Sequence, residues 1–287
     1  MQKREKILYR ACAVFLSVLV ILFALVAGVM IANSVADKNV RYTPDYERID
    51  LAPILEKGDL TDGDYDVLYR QTGLTKIGVQ AVLQDLVNTE TPLSRLREFQ
   101  EAFFAEQERL HETISPITQR DYYAYPAPFV PLETGDVIVS ASTHSLGWRH
   151  GHAAIVVNNF GTTLESICLG VPSALTTNGF EYFAECSTFM VLRMKDADKK
   201  TREEIGTAAR KELCGIPYSI SVGVFSKKDQ GRQAKMTQCA HLVWQAYKNF
   251  GYDIDYNGGA VVAPCDIARS PYFEVVQIYG FHPDKLW

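Results

Sequence analysis

The sequence predicts an α+β fold for residues 116–287, with an antiparallel sheet packed on helices. Short runs rich in β-branched residues cluster between residues 135 and 194 and recur near the C-terminus. Turn-forming Gly and Asn separate several of them, which is typical of strands. Two stretches with apolar residues at helical spacing, 201–214 and 237–250, lie between these clusters. Strands grouped before and after helices indicate an α+β domain.

The composition is that of an ordinary folded protein and favours no nucleic-acid partner. Of the 287 residues, 47% are hydrophobic and 22% are charged, which is typical of a globular chain rather than a disordered one. This length suits one or two domains with a substantial core. The formal net charge is −5, so the chain as a whole does not attract polyanions.

An uncharged apolar stretch near the N-terminus predicts a membrane-spanning helix. Residues 11–32 carry no charge, and at ~1.5 Å per residue such a helix crosses a ~30 Å hydrocarbon core. Four basic residues precede it: Lys3, Arg4, Lys6 and Arg10. The positive-inside rule therefore places residues 1–10 in the cytoplasm, the anchor at 11–33 and the rest outside the cell membrane. The alternative is a cleaved secretory signal, because residues 34–36 resemble a small-x-small cleavage site.

Residues 34–115 are predicted to form a helical stalk or linker. Short helices are expected over 61–90, interrupted at three glycines: Gly63, Gly73 and Gly78. Thr91 and Pro92 form a helix start, and apolar residues then recur at helical spacing until Pro116. This predicts one amphipathic helix of about 22 residues whose apolar stripe packs on the domain that follows. A plain stalk and a regulatory lid both fit this pattern.

The elements of the C-terminal domain are predicted from local signals. We expect strands at 137–139, 152–157, 162–167, 188–194 and 273–279, and helices at 201–214 and 237–250. Residues 158–161 are a turn signal between the second and third strands. Residues 201–204 form a capping box, and Gly215 ends the helix that it begins.

Cys239 is the candidate nucleophile. Thr237 is a natural N-cap, so Cys239 falls in the first helical turn, where the helix dipole is positive and favours a thiolate. Four other cysteines follow the membrane segment, at no metal-like spacing: Cys168, Cys186, Cys214 and Cys265. Five thiols leave at least one unpaired in any scheme of internal disulfides. The alternative reading of Cys239 is a small buried hydrophobe.

His152 and Glu165 are the candidate base and its orienting carboxylate. In the hairpin 152–167, a loop of two or four residues fixes which residues of the two strands lie opposite each other: the numbers of each opposite pair add up to 319. His152 and Glu165 are then diagonal neighbours on one face, within reach of each other. A carboxylate beside an imidazole fixes its tautomer and stabilises the imidazolium. A three-residue loop would break this pairing and leave a surface histidine near an unrelated glutamate.

No cofactor or metal is expected. His150 and His152 form an HxH pair that could bind zinc from one strand face, but no third ligand lies at motif spacing. His241 is two residues beyond Cys239, about 200° around the helix, which makes it a poor base.

Several short motifs occur in a characteristic order. They are 135–138 (GDVI), 151–156 (GHAAIV) followed by Glu165, 215–218 (GIPY), 238–247 (QCAHLVWQAY) and 264–271 (PCDIARSP). Over about residues 133–280 the chain resembles the circularly permuted NlpC-like, papain-fold amidases, including the YiiX-like group. The resemblance implies a permuted papain-like fold and a Cys-His-Glu triad of Cys239, His152 and Glu165. It also implies that Tyr218 lies near the site as an oxyanion donor.

The sequence thus predicts a membrane-anchored, extracytoplasmic cysteine peptidase or amidase, in which Cys239 attacks an amide carbonyl and His152 carries the proton. The resemblance and the location imply peptidoglycan stem peptides as substrate. A lipid amide or ester hydrolase, or an acyltransferase, built on the same site is one alternative. A non-catalytic papain-fold binding module is another, because Ala240-His241 replaces the Ser-Glu that usually follows the cysteine.

Overall fold

The computed structural model describes residues 2–36, 41–85, 90–145, 147–195, 197–285 and 287. The helices within these ranges are α1 Gln2–Ala36, α2 Ala52–Leu55, α3 Asp62–Thr72, α4 Lys76–Gln84, α5 Pro92–Phe104, α6 Gly179–Glu185, α7 Lys199–Glu212, α8 Cys239–Lys248 and α9 Pro264–Ala268. The strands are β1 Leu110–Ser115, β2 Thr118–Tyr122, β3 Val137–Ser140, β4 Thr143–Ser145, β5 His152–Val156, β6 Thr163–Glu165, β7 Ala174–Thr176, β8 Phe189–Met194 and β9 Phe273–Tyr279.

Two antiparallel sheets organise the strands. The larger has six strands in the order β7-β6-β5-β3-β8-β9, and the smaller has three in the order β1-β2-β4. Each strand pairing in the described ranges is antiparallel. The predicted α+β class with an antiparallel sheet is therefore confirmed. Strands β3, β5, β6, β8 and β9 lie where the sequence predicts strands.

Helices bury both faces of the large sheet. Val137 and Val139 of β3 share one apolar cluster with α7 and α8, whereas Ile138 between them joins a second cluster with α3, α4 and α5. Alternate residues of a strand point to opposite faces, so a covered sheet needs consecutive apolar residues. A buried ion pair also ties β3 to β8, because Arg193 donates to both carboxylate oxygens of Asp136 at 2.8 and 2.7 Å.

The helix predicted up to Pro116 is wrong in its second half. Helix α5 begins as predicted, with Thr91 accepting a hydrogen bond from the Ser94 amide, but it ends at Phe104. Residues 110–115 instead form β1, which pairs with β2. Leu110 and Ile114 are four positions apart, which places them on one face of either a helix or a strand. Their spacing therefore fitted both structures.

Residues 41–85 and 90–115 contribute to the folded core. Leu68, Val79 and Leu96 are fully or almost fully buried in the cluster that covers the second face of the sheet. The boundary predicted between residues 115 and 116 falls inside the β1–β2 hairpin. Of the three predicted helix interruptions, only Gly73 ends a helix, with φ 74°.

One further helix boundary differs from the sequence analysis. Helix α7 begins at Lys199 rather than at Thr201, because the Asp198 side chain accepts a hydrogen bond from the Thr201 amide and caps it. At the N-terminus, the segment Lys6–Ile31 of α1 is long and apolar enough to cross a membrane, and it is not buried against the rest of the protein.

Candidate functional site

The β5–β6 hairpin brings His152 and Glu165 together. Ile155 pairs with Leu164, so the paired numbers sum to 319 and the predicted register is confirmed. The four-residue loop 158–161 connects the strands. His152 Nε2 lies 2.8 Å from Glu165 Oε2, and both side chains are buried.

Glu165 is held as a carboxylate by its neighbours. The Thr163 hydroxyl donates to Oε1 at 2.5 Å, and the Thr176 hydroxyl lies near enough to the carboxylate to help lower its pKa. Burial raises the pKa of Glu165, but the hydrogen bond and charge of His152 and the two hydroxyls outweigh burial, so the pKa is lowered. A buried negative charge therefore faces the imidazole.

Cys239 is the first residue of α8. The N-cap is Gln238 and not Thr237 as predicted, because the Thr237 hydroxyl bonds to His241 Nδ1 at 2.9 Å and is not available to cap the helix. The Cys239 thiol is 6% exposed and lies at the positive end of the helix. Its backbone N–H is one of the four amides that have no intrahelical acceptor.

The Cys239 side chain lies close enough to His152 to shift the pKa of the ring, because α8 packs along β5. Since Nε2 binds Glu165, Nδ1 is the ring nitrogen left for the sulfur. Burial lowers the pKa of His152, but the hydrogen bonds and negative charges of Cys239 and Glu165 outweigh burial and raise the pKa to about 10. The imidazolium is thus the favoured form at neutral pH.

Helix α6 packs aromatic rings around His152. Phe183 stacks on the imidazole with centroids 5.6 Å apart and planes 11° apart, and Tyr182 meets it edge-on at 5.8 Å. Gly179 allows this approach, because a Cβ there would lie 1.8 Å from Thr163 Oγ1. The sequence analysis did not identify these residues. Their aromatic character was visible, but their position against His152 depends on tertiary packing.

Tyr218 lies close enough to Cys239 to be affected by its charge. Burial raises the pKa of Tyr218, and the charges of Cys239 and Cys168 raise it further, so the phenol keeps its proton. Its backbone forms an isolated parallel bridge with Thr237, just before α8. The protonated phenol is therefore available as a hydrogen-bond donor.

The other histidines considered as ligands or bases have separate partners. His150 contacts Gly151 O at 2.8 Å and Ser145 Oγ at 2.9 Å, so it does not act with His152 as an HxH ligand pair. His241 contacts Lys228 O at 2.8 Å through Nε2, away from the thiol, as its position on the helix predicts.

A second buried carboxylate, Asp121, organises the small sheet. His111 Nδ1 and His144 Nε2 contact one of its oxygens at 2.8 and 3.3 Å, and Arg149 and Arg109 lie 2.7 and 3.5 Å from the other. Burial raises the pKa of Asp121, but His144 and the arginines outweigh burial and lower it to about 2. The two histidines and the carboxylate are close enough to share a metal ion. However, two guanidinium groups already neutralise the carboxylate, which favours an ion-pair network.

These features define an α+β protein with a buried Cys-His-Glu arrangement at one end of its large sheet. No protein-family model and no curated protein matches the chain. Among solved structures, it is similar to the crystal structure of metalloprotein yiiX from Escherichia coli O157:H7, DUF1105. The identity is 16% and the TM-score 0.37, over 51% of this chain and 97% of that one.

Proposed function

We propose that this protein is a membrane-anchored cysteine hydrolase that cleaves amide bonds, with Cys239 as nucleophile. The observation that carries the proposal is the contact of a helix-terminal thiol with an imidazole that is itself bound to a buried carboxylate. A nucleophile, a base and an orienting group in this order are the signature of covalent acyl transfer.

The reaction proceeds through an acyl-enzyme. The Cys239 thiolate attacks the amide carbonyl, and the His152 imidazolium gives its proton to the leaving amine as the C–N bond breaks. Neutral His152 then takes a proton from water, and the hydroxide attacks the thioester and releases the acid and the thiol. The Cys239 backbone N–H and the Tyr218 hydroxyl are the donors for the oxyanion.

Glu165 acts through His152. Its carboxylate holds the ring by Nε2, so that Nδ1 faces the sulfur, and its charge stabilises the imidazolium that the first step requires. Phe183 and Tyr182 fix the ring plane. We propose a permuted papain-like, NlpC-like assignment on this basis, together with the motif order and the histidine that precedes the cysteine in the chain.

The membrane location supports the choice of substrate. With α1 as an anchor and the basic residues 1–10 in the cytoplasm, the site faces the extracytoplasmic side, where peptidoglycan stem peptides supply amide bonds. A lipid amide or ester is the second candidate substrate, because large exposed apolar side chains such as Leu169 and Phe225 lie on the loops around the site.

The test uses the full chain purified in detergent and incubated with muropeptides and, separately, with lipid amides. Cys239→Ala should abolish cleavage of the substrate that the wild type cleaves, whereas Cys214→Ala, at an exposed thiol, should leave the rate unchanged. Equal cleavage by the Cys239→Ala variant would refute the mechanism. If a thiol reagent near neutral pH labels Cys239 no faster than the exposed thiol, a non-catalytic binding module is the better reading.

A further inference from the structure

One end of the six-stranded sheet carries the candidate site, and we call it the site end. His152 begins β5 there and pairs with Ser140, the last residue of β3. The Ser140 hydroxyl donates to the carbonyl oxygen of Thr188, immediately before β8. Glu165 ends β6 at this end, and Gly280 follows β9 there, because neighbouring strands are antiparallel.

The chain that follows α1 joins the domain at the site end. The Tyr42 amide donates to the Gly280 carbonyl oxygen at 2.8 Å, and the Arg41 guanidinium lies over the Tyr279 ring at 4.9 Å. Helix α1 ends at Ala36. Consecutive Cα atoms are ~3.8 Å apart, so whatever its conformation the chain between Ala36 and Arg41 spans at most about 19 Å. The apolar segment of α1 ends five helical residues earlier, at Ile31, so a bilayer that holds it lies within about 27 Å of Arg41 at the site end.

Exposed apolar side chains gather at the site end, and we call them the apolar rim. Six large ones are between 57% and 90% exposed: Ile117, Trp148, Leu169, Ile220, Val224 and Phe225. On the surfaces of soluble monomeric proteins, large apolar side chains are usually exposed singly, whereas a group of them marks an interaction surface.

Two loops of the rim flank the candidate nucleophile. The loop after β6 is fastened beside the segment before Tyr218, because the Ser173 amide donates to the Ile216 carbonyl oxygen at 2.8 Å. Tyr218 lies near enough to both Cys168, on this loop, and Cys239 for each to affect its pKa. The second rim loop begins directly after Tyr218, so both loops adjoin the segment that carries Tyr218.

The third part of the rim is a pair of hairpin tips. Thr118 pairs with Ser145 across the small sheet, and their hydroxyls are 2.8 Å apart. Ile117 precedes Thr118 in one turn, and Trp148 lies in the neighbouring turn, where its amide and carbonyl bond back to Ser145. The β3 chain continues through β4 beyond the site end, so both tips are on this side of the sheet.

We propose that the apolar rim docks on the outer face of the bilayer that anchors α1, so that the Cys239 cleft opens onto the membrane surface. Tryptophan and large aliphatic side chains are the residues that enter the interfacial layer, and the short connection keeps this face beside it. The inference goes beyond the proposed hydrolysis, because docking requires no chemistry. If both proposals hold, the substrate is an amphiphile with its amide at headgroup depth.

Fluorescence quenching tests the docking with the full chain reconstituted in vesicles of phosphatidylcholine with bromine on the acyl chains, against unbrominated vesicles. Trp244 is buried, and the difference between wild type and Trp148→Phe isolates the Trp148 emission. A docked face enters ~5–10 Å into the bilayer, so bromine should quench the Trp148 emission by about half or more. Cys239→Ala should give the same result, which separates docking from catalysis.

The matched control is Phe160→Trp in the Trp148→Phe background. Phe160 is 84% exposed in the β5–β6 turn, at the opposite end of the sheet. The emission of the tryptophan introduced at position 160 should not be quenched in the same vesicles. An unquenched Trp148, or equal quenching at both positions, would overturn the proposal.

Discussion

Glu165→Gln tests whether the buried carboxylate sets the charge of the His152 ring. The substitution keeps the size of the side chain and removes its negative charge. The two groups are 2.8 Å apart, and their side chains are 3% and 6% exposed, so solvent screens the interaction weakly. A glutamine can still hydrogen-bond to Thr163, so we expect the hairpin to remain folded.

The size of the effect follows from the interaction of two buried charges. At an effective dielectric constant of about 20, unit charges about 4 Å apart interact by about 4 kcal/mol, which is the upper limit. A neighbouring opposite charge shifts a pKa by about 1 to 3 units, or about 1.4 to 4 kcal/mol. The pKa of His152 should fall by that amount. The equilibrium ratio of the thiolate–imidazolium pair to the neutral thiol–imidazole pair should therefore fall by about 10- to 1000-fold.

Alkylation by iodoacetamide, read at Cys239 by mass spectrometry across the pH range, measures this population without a substrate. We expect Glu165→Gln to react more slowly than wild type near pH 7, because a fall of about 1 to 3 units from about 10 brings the pKa of His152 towards that pH. The deficit should narrow as the pH approaches 10, where the wild-type ring also loses its proton. Glu181→Gln, on the exposed side of α6, is the control and should match wild type. A wild-type rate near pH 7, or a loss that is the same at every pH, would refute the reasoning.

Three further predictions concern the frame around the site. Gly179→Ala should lower the free energy of unfolding by about 1–3 kcal/mol, because its Cβ would collide with Thr163; an unchanged melting temperature would contradict this. Asp136→Asn should cost about 1–3 kcal/mol in denaturant unfolding, since it removes one carboxylate that pairs with the buried Arg193 and leaves Glu133 as the remaining counter-charge, and an unchanged free energy of unfolding would contradict this. The pKa of Asp121 is lowered to about 2, so its stabilisation is present above about pH 4 and is lost as the pH falls towards 2. In Asp121→Asn, the free energy of unfolding should lack the decrease of about 2–3 kcal/mol that wild type shows between about pH 4 and pH 2. An unchanged dependence on pH in this range would contradict the prediction.

The hairpin that carries His152 and Glu165 could be predicted because its information is local. A turn signal and the alternation of two adjacent strands determine which residues face each other, and the structure has that register. The position of Cys239 in the first helical turn could be predicted in the same way, although the capping residue could not.

Contacts between distant parts of the chain could not be predicted. Helix α6 places Phe183 against His152, and no local pattern specifies that approach. The sequence predicts that the amphipathic helix from Pro92 packs on the domain that follows, but an amphipathic stripe shows that a helix needs a partner without showing which surface it covers. The strand at 110–115 was missed for the related reason that its partner, β2, determines its conformation.

The helices that cover the second face of the large sheet determine which truncated forms of the protein can fold. A fragment that begins at residue 116 would lack α3, α4, α5 and strand β1, and so much of the apolar cluster that contains Ile138, Ala154 and Val191. Such a fragment should aggregate rather than fold. A version without the apolar helix should keep Arg41 and Tyr42, because both hydrogen-bond to the rest of the domain.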